Sequence, residues 1–200
     1  MLTSRSRPKG LSAINPREKS LRHIAIAITV VVALCGWTLR ADAQTSQIKT
    51  EYLMTYLVPI SAQRIKIDGA TSITAAYPGG WVKGPAISGK FIGPGGDWIT
   101  ITPAGVARLD VRIVIETDDG ALIYMTYGGI SVSSKEVGEA LGRGEVVTDK
   151  TWPYFVIAPT FRTSSEKYDW LNKVQAVGKM VEIKRGGEDS YVKYDVFVVR

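Results

Sequence analysis

Residues 106–132, VARLDVRIVIETDDGALIYMTYGGISV, decide the fold class. Two runs rich in β-branched and aromatic residues flank Asp119-Gly120, a dipeptide that favours a tight hairpin turn with positive φ. A two-residue turn sets Asp118 opposite Ala121 and pairs Glu116 with Ile123, Val114 with Met125 and Arg112 with Tyr127. Along the first run, Ala107, Leu109, Val111, Ile113 and Ile115 share one face, and Arg108, Asp110, Arg112, Val114 and Glu116 share the other. The first face is core. The charged face looks either at solvent or at a cavity, and in this register Met125 and Tyr127 stand across from it. That neighbourhood favours the mixed interior of a closed barrel of about eight strands, which can hold one small ligand.

Working outward, the same period-two pattern marks strands over Tyr52 to Pro59, Gln63 to Asp68, Ala86 to Ile92, Trp98 to Thr102, Tyr154 to Ala158, Lys173 to Ile183 and Tyr191 to Val199. Turns rich in Gly, Pro and Asp separate them, the spacing of an antiparallel sandwich or barrel. Only Ser134 to Leu141 reads as helix, with Ser133 or Ser134 as N-cap, Glu136 in the first turn and Gly142 as the stop. Phe91 to Trp98, FIGPGGDW, lacks the Gly-Lys-Ser/Thr ending of a phosphate loop and reads as a strand-to-strand corner. Its Asp97 and Trp98 fit a capping acid and a core aromatic, or else a barrel mouth. Tyr168 to Asn172 reads as one turn anchored by two aromatics.

The net charge of +6 is unevenly spread. Residues 1–43 hold seven basic and two acidic residues, which leaves 18 basic and 17 acidic for the rest. A near-neutral body without a basic stripe argues against a nucleic-acid partner. Ile24 to Leu39 is an uncharged apolar run preceded by basic residues and followed by Ala41-Asp42-Ala43, the order of a cleavable secretory signal. The expected organisation is therefore a leader over 1–43 and one β-barrel domain over 44–200, periplasmic or extracellular, with no stable membrane span after cleavage. The chain's only Cys and His, Cys35 and His23, fall in that leader. The remainder cannot build a Ser-His-Asp triad, a thiol nucleophile or a Cys/His zinc site. Glu116, Asp118 and Asp119 lack the spacing of a calcium loop and read as hairpin chemistry. No metal or cofactor is expected, and acid–base work falls to Asp, Glu, Tyr or Lys.

Five ordered blocks, GPAISGKFIGPGGDW (84–98), PAGVARLDVR (103–112), TDDGALIYMTYGG (117–129), WPYFVIAPTF (152–161) and YDWLN (168–172), resemble the domain of unknown function 3237, also called uncharacterised protein family 0311. The resemblance implies a small closed β-barrel of calycin-like form with an internal pocket, often a homodimer. Some fungal relatives are thought to be cyclases or isomerases. Phe161-Arg162-Thr163 departs from the family's Phe-Glu-Thr, a base in place of an acid. The combined expectation is an all-β barrel binding a small, partly apolar molecule, with Asp110, Arg112, Tyr124, Tyr127, Phe155 and Trp170 as pocket residues. Tyr124 enters on the family block alone, since the hairpin register puts it on the face opposite Arg112. The alternative is a cofactor-free isomerase, cyclase or lyase in which a pocket Asp and Tyr move protons and Arg112 holds an anionic group.

Overall fold

The computed structural model describes residues 46–200, so the leader expected over 1–43 lies outside the described residues. Its strands are β1 (Thr50–Pro59), β2 (Ile65–Lys66), β3 (Thr71–Ala76), β4 (Gly79–Lys83), β5 (Ser88–Ile101), β6 (Val106–Thr117), β7 (Leu122–Val132), β8 (Val146–Thr148), β9 (Tyr154–Arg162), β10 (Ala176–Lys184) and β11 (Tyr191–Val199). Helix α1 (Lys135–Gly142) follows β7, and a 3-10 helix (Glu166–Lys173) follows β9. Eight strands close a ring in the order β5-β4-β1-β11-β10-β9-β7-β6, with β6 returning to β5. The two-stranded annex β2–β3 lies on the second half of β5, and β8 lies beside the end of β10.

The glycine-rich run is not a corner. It is a bulge inside one fourteen-residue strand, marked by a register shift between Ile92 and Gly96 and by Gly93 at φ +67°. Gly93, Pro94 and Gly95 stand against Ile113 alone, and such an insertion bends a strand and sharpens its twist. Here the bend lets the first half of β5 pair with β4 and the second half with β3, while both halves pair with β6.

The hairpin loop has three residues rather than two. Thr117 N–H donates to Ala121 O, Gly120 N–H returns to Thr117 O, both at 2.9 Å, and Gly120 takes φ +83°. This is a type I turn closed by a left-handed glycine. The register slips by one from the expected one: Ile113 faces Met125, Val111 faces Tyr127, and Arg112 faces Thr126. Because side chains alternate strictly, the slip returns Met125 and Tyr127 to the apolar face and leaves the charged face outside.

Leu109, Val111, Ile113 and Ile115 of β6 are buried as the sequence pattern requires, and Ile123, Met125 and Tyr127 of β7 meet them. Each such side chain removed from water contributes about 1.5–3 kcal/mol. Helix α1 begins at Ser134, whose Oγ accepts the Val137 N–H at 3.3 Å, but the left-handed stop is Gly144 at φ +77°, not Gly142. The 3-10 helix packs beside the β6–β7 hairpin turn, with Leu171 and Tyr168 buried and the Tyr168 hydroxyl donating to Asp119 Oδ1 at 3.2 Å.

Candidate functional site

A cavity of about 80 Å³ occupies the other end of the barrel, where β1, β5 and β10 finish and β6, β9 and β11 begin. Its walls are mostly apolar, from Val58, Ile99, Leu109, Val111, Tyr127 and Phe155, with Leu141 of α1 at the rim. A line of aromatic rings runs inward from it. Trp152 meets Phe155 at 5.3 Å between centroids, Phe155 meets Tyr194 at 5.6 Å, and Tyr194 meets Tyr56 at 5.2 Å. Tyr127 packs edge-on to Tyr194 at 6.1 Å. Burial holds the Tyr56, Tyr127 and Tyr194 phenols protonated, well above the usual tyrosine range.

Three ionisable groups interrupt this apolar wall. Asp97 lies on the inward face of β5, Arg64 in the β1–β2 connection and Arg185 immediately after β10. Burial pushes the Asp97 carboxyl up to about 6, against the opposing pull of the Asp110 N–H, which donates to its Oδ1 at 3.2 Å, and of the two guanidiniums. Burial, reinforced by the like charge of Arg64, brings the Arg185 guanidinium down to about 10. Arg64 remains solvent-exposed as a residue, yet partial desolvation also lowers its guanidinium, against the opposing charge of Asp97. Among the described residues none of the three forms an ion pair. Three buried polar atoms, Thr74 Oγ1, Trp152 Nε1 and Tyr56 Oη, also find no hydrogen-bond partner among the described residues, and Thr74 and Trp152 line the cavity.

Of the expected pocket residues, the structure brings Tyr127 and Phe155 together in the cavity wall. Asp110 and Arg112 lie on the outer face instead, 57% and 47% exposed and paired at 3.1 Å, with the Arg112 guanidinium 5.3 Å from the Trp98 ring. Asp110 reaches the site only through its backbone N–H. Tyr124 is 37% exposed opposite Val114, on the outer face shared with Arg112. Trp170 is partly buried on the 3-10 helix at the far end. The one-residue register slip explains the first two placements and shows why the expected register misassigned the face of Tyr124. Arg162, the departure from the family pattern, is exposed opposite Tyr124 and does not border the cavity.

Sequence reasoning missed Arg64, Arg185 and Tyr194, and left Asp97 undecided. A usable signal existed for Asp97: with β5 read as one strand, Phe91, Gly95, Asp97 and Ile99 fall on the same side, so an acid interrupts an inward row. Asp119 is clasped by Thr117 Oγ1 and Lys167 Nζ, both at 2.5 Å, and by Tyr168. Those donors hold its carboxyl well below the usual range. The acidic cluster is hairpin chemistry.

Fold and site together define a small closed antiparallel β-barrel whose one end carries an aromatic, partly ionisable cavity. The chain belongs to the family described as protein of unknown function (DUF3237), whose model matches residues 48–199. It is 34% identical over 136 residues to the UPF0311 protein RPA1785 of Rhodopseudomonas palustris, covering 67% of this chain and 88% of that one. The crystal structure of that relative matches with a TM-score of 0.68 over 78% of this chain and 100% of the other. A β-barrel-like protein of Acinetobacter baumannii matches at 32% identity and a TM-score of 0.61, over 80% of this chain and all of the other. The hydroalkoxylation enzyme phnH of Penicillium herquei is 35% identical over 111 residues, 56% of this chain and 58% of its own length.

Proposed function

We propose that this chain is an exported barrel that binds a small, partly apolar molecule in the cavity lined by Asp97, Tyr127 and Phe155. The observation that carries the reading is Asp97. A carboxyl displaced to about 6 beside two guanidiniums it does not pair with costs stability, and an apolar residue of similar size would avoid that cost. Perturbed ionisable groups converging on an aromatic cavity are the usual signature of a binding site. Export is supported by the basic stretch, apolar run and Ala41-Asp42-Ala43 of residues 1–43. The binding reading is tested by native mass spectrometry of protein purified from its own host, followed by solvent extraction. A bound small molecule that is lost in Ala76→Phe, a substitution that fills the lined space, supports the reading; an unliganded mass in both forms refutes it.

A second reading, a cofactor-free isomerase, cyclase or lyase, is favoured by the same carboxyl. A group poised near 6 can both give and take a proton at neutral pH, and Tyr127 lines the same cavity as a protonated phenol. The phnH relative, whose name denotes an enzyme, adds to this. Under this reading Asp97 takes the acid–base role that the sequence pattern gave to Asp110. Turnover that survives Asp97→Asn with an unchanged pH profile refutes it.

A further inference from the structure

We infer that the molecule held by this barrel is an organic anion, a carboxylate carried on an apolar or aromatic body, with its charged group between Arg64 and Arg185 and its body against the aromatic wall. The inference rests on the ligand-binding reading above and narrows it to one charge class.

The arrangement of cations carries it. Arg64 and Arg185 come from separate connections, yet both border one cavity and act on each other as like charges. Each guanidinium offers five N–H donors in a planar fork. Among the described residues neither donates a hydrogen bond or joins an ion pair, whereas Arg112, Arg143 and Arg200 each pair with a carboxylate on the outer surface. Arg108 and Arg162 are also unpaired and, like Arg64, exposed, but neither borders the cavity; Arg185 is half-buried at its edge. Asp97 does not complete the cluster. Its oxygens stay beyond ion-pair distance, and one already accepts the Asp110 N–H. With Asp97 ionised the cluster keeps one excess positive charge, and with Asp97 protonated it keeps two, so both states attract an anion.

The other ligand charges fit worse. An ammonium group would meet two guanidiniums at short range. A neutral ligand would strip water from Arg185 without replacing its acceptors, leaving donors unpaired at a desolvation cost. A carboxylate accepts from both forks and is the geometric match to guanidinium. Behind the cluster the wall is Val58, Ile99, Leu109, Val111, Tyr127 and Phe155, which selects an apolar body. The buried Thr74 Oγ1 and Trp152 Nε1 stand unpartnered within that wall and can meet a further polar atom of the ligand.

The test is a matched set of probes on the full barrel: phenylacetate, phenylacetamide and toluene, titrated by calorimetry and by intrinsic tryptophan fluorescence. The acid should bind at least about tenfold more tightly than the amide, the ratio expected of one charge-assisted hydrogen bond. Arg64→Gln and Arg185→Gln should each erase most of that preference, whereas Arg185→Lys should keep part of it. Arg112→Gln, on the outer face, should change nothing and serves as the control for charge alone. Binding of toluene and amide with no advantage for the acid overturns the anion assignment and leaves the ligand-binding barrel standing. An acid preference that survives both arginine substitutions also overturns it. If none of the three probes binds, both readings fall.

Discussion

Replacing Asp97 with asparagine keeps the side chain's size and its acceptor for the Asp110 N–H while removing its charge. The carboxyl moves from 3.8 to about 6 on folding, chiefly through burial. The folded chain therefore binds more protons than the unfolded one between about pH 4 and 6, and stability falls as pH rises through that window. Below it both states are protonated and the cost is absent. Above it the cost is complete, about 3 kcal/mol at 1.36 kcal/mol per pKa unit. Asp97→Asn should thus stabilise the barrel by about 2–3 kcal/mol near pH 7.5, raising the melting temperature by roughly 5–10 °C. At about pH 4 the two proteins should be nearly equal in stability. Urea denaturation of both at the two pH values decides the matter. A loss of stability near neutrality, or a gain of the same size at both pH values, refutes the account of Asp97 as a desolvated charge. A gain also means that the native residue is kept at the expense of stability, which is the mark of a group retained for function.

The outer pair offers a contrast, since Arg112→Ala removes an exposed ion pair and a cation–π contact and should cost no more than about 1 kcal/mol in chemical denaturation. A loss several times larger would mean that the charged face is coupled to the interior after all. Gly120→Ala forces a side chain into φ +83° in open space and should cost about 1–2 kcal/mol by thermal melting. Gly89→Ala sets a new Cβ 2.2 Å from the Glu116 carbonyl oxygen, so the β5–β6 seam must open, and the loss should exceed about 3 kcal/mol; equal costs at the two glycines would refute the seam geometry. Intact mass of protein recovered from the native periplasm or medium should begin at Gln44, and full-length chain in the membrane fraction would remove the export proposal.

The inward row Leu109 to Ile115 was legible because its alternation is strict and its residues are large. The Ser134 cap was legible because a hydroxyl before an amphipathic run has a specific backbone partner. The hairpin was legible as a hairpin but not in register, because Asp-Gly serves both two-residue and three-residue loops and the choice moves every partner by one. That single residue carried Asp110 and Arg112 from the cavity to the surface. β3 and β4 escaped because TSITAA and GGWVK have little contrast between their faces. Asp97 was hidden by the bulge, which reads locally as a turn. Arg64 and Arg185 lie in connections, where no period shows which way a side chain points, and only the closed ring brings them together.

The pairing of β1 with β11 joins the two ends of the described chain, Thr50 opposite Val199, with Lys49 and Arg200 exchanging backbone hydrogen bonds at 3.2 and 2.8 Å. The ring is thus completed by contacts between residues farthest apart in sequence, and such contacts carry the largest loop-closure entropy and form slowly. Until β11 is in place, β1 and β10 each present an open edge able to pair with a neighbouring molecule. Closure therefore waits on the pairing of β1 with β11. Its timing, rather than the strength of the completed barrel, sets how long the molecule is exposed to aggregation.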